Sequence, residues 1–87
     1  MVQYKKYKTP QQKEVIREEH TENGKFHRVD GPAIVVDGLE AWYINGNLHR
    51  DNNEPAITDA ITGYKAWFIN GVCQKVIVGD VIKYERK

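Results

Sequence analysis

The chain has 87 residues, with 13 Lys+Arg against 12 Asp+Glu and a formal net charge of +1. A chain this short makes one domain with a modest core, so a deep catalytic cleft is not expected, and near-neutrality argues against a binder that works by neutralising many phosphates. A single cysteine, Cys73, excludes an intrachain disulfide and with it the stapled secreted scaffold, and no run approaches the roughly 18 apolar residues that span a bilayer. A soluble, cytoplasmic protein without membrane contact is the expectation.

Residues 1–14 read as an N-terminal arm. Lys5, Lys6 and Lys8 interleave with Tyr4 and Tyr7. That pattern suits gripping a phosphate backbone while stacking on bases, and equally an edge strand guarded by charge. Thr9-Pro10-Gln11-Gln12 carries a helix-start signal, with Thr as N-cap and Pro at the first position. It predicts a short helical turn near 10–14, followed by a strand from about Val15 to Glu22. A helix over 10–19 is the alternative, with few apolar anchors beyond Val15 and Ile16.

From 15 to 75 the chain repeats itself. Asn-Gly pairs recur at Asn23, Asn45 and Asn70, and the first two open Asn-Gly-x-x-His-Arg segments. Asn23–Asp37 and Asn45–Asp59 then run in parallel through Pro32-Ala33-Ile34 and Pro55-Ala56-Ile57, the second unit carrying one extra residue before its Pro. Each closes on an aromatic segment, Leu39–Ile44 or Tyr64–Ile69. The third unit decays, with Gln74 and Lys75 in the His-Arg slots; His20 stands where Trp42 and Trp67 stand. Within the aromatic segments the side chains alternate with a period of two, the pattern of strands in an antiparallel sheet. Asn-Gly tolerates the positive φ of tight hairpin turns, and Asp30-Gly31-Pro32 and Asp37-Gly38 are further turn signals. Residues 76–87 read as C-terminal strands about a Gly79-Asp80 turn. The expected fold is all-β: an antiparallel meander of repeated hairpins in a single twisted sheet, with a short N-terminal helical turn, and residues 1–87 forming one domain.

Tyr43-Ile-Asn-Gly-Asn-Leu-His49 resembles the MORN repeat, a β-hairpin unit with an aromatic two residues before the Asn. Phe68-Ile-Asn-Gly matches the first half of the same pattern. Arg28 and Arg50 depart from it, standing where that family places Gly after the His. The chain is more similar to a variant repeat, His-Arg-x-Asp-Gly-Pro-Ala followed by Asp-Gly and Trp-Tyr-x-Asn-Gly, found in short proteins of bacteriophages and some bacteria. The resemblance spans roughly residues 20–75. It implies an extended hairpin sheet used for binding, without an active site, in a family whose members include scaffolds and candidate antitoxins. By that resemblance the chain would be an accessory protein acting in a host cytoplasm, where it inhibits or modulates a defence or toxin component.

The candidate protein-binding residues are Trp42, Tyr43, Trp67 and Phe68. They recur on successive hairpins and give each sheet face an aromatic row, which a small sheet would leave partly exposed for a partner or a second copy. His27, Arg28, His49 and Arg50 are candidate polar contacts. Their recurrence at every corner favours a structural duty, satisfying turn groups or pairing with Asp30 and Asp51. Equivalent His residues two strands apart lie roughly 10 Å from one another, too far to share a metal, and no cofactor site is expected. The chain has no serine, and Cys73 reads as a small apolar filler. Glu18-Glu19 point to opposite faces of a segment expected to be solvated. No constellation supports an enzyme. The reading is a non-catalytic protein-binding module. A small-ligand or nucleic-acid binder using the Lys/Tyr segment and the His-Arg corners is the alternative, and a purely structural oligomer the third.

Overall fold

The computed structural model describes all residues, 1–87. It is all-β, with eleven strands and no helix: β1 (Val2–Lys8), β2 (Glu14–Glu22), β3 (Lys25–Phe26), β4 (Ile34–Val36), β5 (Leu39–Ala41), β6 (Tyr43–Ile44), β7 (Asn47–Leu48), β8 (Ile57–Asp59), β9 (Tyr64–Ile69), β10 (Val72–Val78) and β11 (Val81–Glu85). The main sheet runs β1-β2-β4-β5-β8-β9-β10-β11, with β3 pairing the far end of β2 and β6-β7 forming a separate ribbon. Every pairing is antiparallel. No helix is long and apolar enough to cross a membrane.

Each unit contains two kinds of hairpin rather than one. Asn-Gly turns close the short β2-β3 and β6-β7 pairings and the longer β9-β10 hairpin of the main sheet, with φ of 52°, 50° and 48° at Asn23, Asn45 and Asn70 and positive φ at the glycine that follows each. Two successive left-handed residues match the twist of the flanking strands, as type I′ hairpins require. Asp37-Gly38 closes the β4-β5 hairpin, again with positive φ at both residues. In the second unit the longer Asp59–Tyr64 connection plays that part, held by the Asp59 carboxylate accepting from the Ile61 N–H at 2.9 Å.

The predicted helical turn is not formed. The Gln12 N–H donates to the Thr9 carbonyl, the Thr9 N–H donates to the Lys13 carbonyl, and Gln12 lies at φ 65°. Thr9–Lys13 is thus the tight turn between β1 and β2. Thr and Pro satisfy a turn as well as a helix cap, because in both settings Pro presets φ and Thr answers a nearby N–H; here Thr9 Oγ1 accepts from Lys13. The residues read as an arm belong to the sheet, with Val2–Lys8 paired one for one with Glu14–His20.

The core is made of small residues. Ala33, Ala41, Ala56 and Ala66 are buried at 0–5% exposure, Ile34 joins them, and no large side chain is fully buried. The four alanines are the repeat's own slots. Backbone bonds tie them into a spine: Ala33 N–H to Ala41 C=O, Trp42 N–H to Ala56 C=O and Ala56 N–H to Ala66 C=O, at 2.7–2.8 Å. The register places Ile34, Val36, Leu39, Ala41, Ile57, Tyr64, Ala66, Val76 and Val78 on one face of the sheet, together with the charged Arg17, Glu19 and Asp59. Val35, Glu40, Thr58, Lys65 and Ile77 fall on the other. The first face is largely apolar from β4 to β10 and charged toward β1, where Lys5, Arg17 and Glu19 cluster; the second is the more polar, a division common in antiparallel sheets.

Candidate functional site

The corner residues are built into the stacking of one unit on the next. The Nδ1 of His27 accepts the Asn45 N–H at 3.0 Å, and the Nδ1 of His49 accepts the Asn70 N–H at the same distance. Each histidine therefore holds the Asn-Gly turn of the following unit. An accepting Nδ1 places the ring proton on Nε2; in His49 that nitrogen donates to Asp51 at 2.9 Å, and in His27 it faces Glu22 at 3.7 Å. Backbone bonds repeat alongside, from Gly46 N–H to Phe26 C=O and from Gly71 N–H to Leu48 C=O.

The arginines follow the same rule. Arg28 donates to the Pro32 carbonyl at 3.3 Å and Arg50 to the Pro55 carbonyl at 3.1 Å, pinning each corner loop to the Pro-Ala segment. The Arg50 guanidinium lies 3.9 Å from the centre of the Trp42 ring, close enough for a cation–π contact. Lys75 covers Trp67 in the same way at 5.3 Å. Arg28 meets His20, in the same slot, at 3.0 Å, and also reaches Glu18 and Asp30. Arg28 donating to Asp30, with help from the Asp30 backbone, holds that carboxyl below its ordinary value. Lys75 is the residue that motif reading undervalued. The third unit has lost its His-Arg, yet a cation in the Arg slot preserves the cap, and charge at that slot was the available signal.

The aromatic residues divide between two settings. Trp42 and Trp67 are covered by cations and half-buried; Tyr43 packs against Phe26 at 5.3 Å between ring centres, and Phe68 pairs across the ribbon with Cys73. Trp67 donates its indole N–H to the Asn53 carbonyl at 3.1 Å, whereas the indole N–H of Trp42 is buried without a partner. The loops that differ in length also differ in conformation: Asn52 and Asn53 both take positive φ in the second unit, whereas no residue of Val29-Asp30-Gly31 does in the first.

One shallow groove, about 240 Å³, gathers Arg28, Trp42, Ile44, His49, Arg50 and Glu54. It lies below the 300–1,000 Å³ of ordinary small-molecule sites. No group of three or more His, Cys, Asp or Glu side chains comes together. His27, Tyr43, Trp67 and Phe68 do not line the groove, so the sequence candidates form a ladder rather than one site. Cys73 is a free, half-buried thiol.

Glu18 and Glu19 separate as alternation demands, but the segment is not solvated. Glu19 is buried at 6% exposure, with Lys5 at 3.0 Å and Arg17 at 2.6 Å. The hydrogen bond from Lys5, then that from Arg17, holds its carboxyl below the ordinary value despite burial. No protein-family model, curated protein or solved structure matches this chain.

Proposed function

We propose that this chain is a non-catalytic binding module that docks the apolar face of its sheet on a protein partner. The observation that carries the reading is exposed area. A folded monomer of 10.1 kDa is expected to expose about 5,300 Å², and this one exposes 6082 Å². The excess, about 800 Å² over the whole molecule, is of the size of one partner's share of a standard protein–protein interface. It arises because the molecule is a slab of 41 × 33 × 17 Å in which no large side chain is fully buried. Val36, Leu39, Ile57, Tyr64 and Val78 lie half-buried on the apolar face, where a partner's surface would complete their burial. Tyr43 and Phe68 extend the aromatic part of the surface toward the ribbons. The repeat's likeness to bacteriophage and bacterial proteins supports a bacterial target, with the chain acting as an inhibitor or modulator of a defence or toxin component in a host cytoplasm.

The test is affinity capture from bacterial lysate with the wild type and with Leu39→Lys/Tyr64→Lys, which places two charges on the face at half-exposed positions. The expected result is a captured protein that the variant loses while its circular dichroism stays that of wild type. Capture that is indifferent to the variant, or absent, overturns the reading. Light scattering decides the structural-oligomer alternative: a monomer at high concentration removes it, and a dimer that Tyr64→Lys dissociates puts a second copy on the face instead.

A further inference from the structure

We propose that the open edge of β1 accepts an extended, acidic peptide as an added strand, independently of the sheet face discussed above. β1 pairs with β2 at seven successive positions without a bulge, and all seven of its residues are exposed. The bonds that flank it fix which backbone groups are free. Thr21 N–H donates to Met1 C=O and Thr9 N–H to Lys13 C=O, so the odd-numbered residues exchange bonds with β2. The N–H and C=O groups of Val2, Tyr4, Lys6 and Lys8 therefore point outward, an unpaired row of the kind that captures another strand.

The side chains say what kind of strand fits. Val2, Tyr4, Lys6 and Lys8 share one face of β1, with Val2 and Tyr4 47% and 67% exposed. Lys6 has only a long contact to exposed Glu14 at 3.8 Å, and Lys8 makes no ion pair. Residues directly across from these four would be apolar at one end and acidic at the other, since cross-strand pairs of opposite charge and of apolar residues stabilise a sheet. β1 carries three lysines and no acid, so the same charges that favour an acidic strand repel a second β1. β11, the other edge, is a poorer acceptor: its ladder with β10 is broken by a bulge, and it carries Glu85 beside Lys83. An oligonucleotide would answer the lysines but not the outward N–H and C=O groups in alternation, so the edge favours a peptide.

The test uses the full chain with a fluorescent Glu-Thr-Glu-Thr-Val-Thr-Val-Thr peptide (the Glu-Val peptide), which in antiparallel register sets Glu across from Lys8 and Lys6 and Val across from Tyr4 and Val2, its Lys-Thr-Lys-Thr-Val-Thr-Val-Thr counterpart (the Lys-Val peptide) and single-stranded oligo-dT. Saturable binding of the Glu-Val peptide alone is expected, with slowed amide exchange at Val2, Tyr4, Lys6 and Lys8. Lys6→Glu/Lys8→Glu should weaken it at least about tenfold, because two attractive cross-strand pairs become repulsive. Lys6→Pro should weaken it more than Lys6→Gln, since only the former removes an outward N–H, one the β1-β2 ladder does not use. Leu39→Lys/Tyr64→Lys should leave it unchanged, which separates this edge from the docking face. Absence of saturable binding, equal binding of the Lys-Val peptide, competition by oligo-dT, or amide changes confined to other strands each overturns the proposal.

Discussion

The histidines and arginines at the corners recur because each one completes a bond that the unit cannot make for itself. Asn45 and Asn70 sit at the entry to tight turns where no carbonyl is available, and a neutral imidazole supplies the acceptor. His49→Ala should therefore cost about 0.5–1.5 kcal/mol, read as a lower urea midpoint with an unchanged slope. Glu19 gives a prediction of a different kind. Its folded pKa is depressed by Lys5 and Arg17, so its contribution is fully present above the ordinary glutamate value, about 4.3, and is lost as pH falls through the lower folded value. Acid titration of stability should show that loss, and Glu19→Gln should flatten it. An unchanged acid limb in the variant would mean that the Lys5–Glu19–Arg17 cluster does not distinguish folded from unfolded chain.

At the scale of the element, the repeat was legible because its slots are occupied by residues with narrow uses. Asn-Gly specifies a hairpin, and alternation through Tyr64–Ile69 specifies a strand. Two features were not legible. Thr9-Pro10 serves a turn and a helix start alike, and only pairing with β2, a long-range interaction, decides between them. The split of the first aromatic segment into a sheet strand and a ribbon strand depends on the break at Trp42, between β5 and β6; the matching segment Tyr64–Ile69 runs unbroken as β9, so the repeated pattern alone does not set it. For the candidate site, the aromatic and corner residues stand out in the sequence as a repeating set with a cation in each Arg slot, while the placing of Arg50 over Trp42 and Lys75 over Trp67 is a matter of packing. The one-residue difference between units makes a sharp comparison. Trp42→Phe removes a buried N–H that has no partner, whereas Trp67→Phe removes one bonded to Asn53. Both leave an aromatic ring under the cation and lose similar volume. Trp67→Phe should be the more destabilising by about 1 kcal/mol, measured by parallel thermal and urea denaturation of the two variants.

Across the whole molecule, strands touch chiefly their hydrogen-bonded neighbours, which makes the sheet nearly one-dimensional in its energetics. A strand in the middle is held on both sides; a terminal strand is held on one. The alanine spine lies in the middle, where Ala33, Ala41, Ala56 and Ala66 bring the backbones together with almost no exposure. Space there is limited to a methyl group, so Ala66→Leu should cost about 1–3 kcal/mol by overpacking, although it adds apolar surface. The same geometry sets an order of opening. The amides of Ala33, Trp42 and Ala56 can exchange only when the spine separates, which demands breaking strands on both sides. β11 can detach from β10 alone, exposing little that was buried, since every one of its residues is already exposed. Native-state hydrogen exchange should therefore find the spine amides protected close to the global unfolding free energy and those of β11 protected far less. Equal protection at both places would mean that the sheet opens as one cooperative unit, and that the stacked corners, rather than the strand ladders, set its stability.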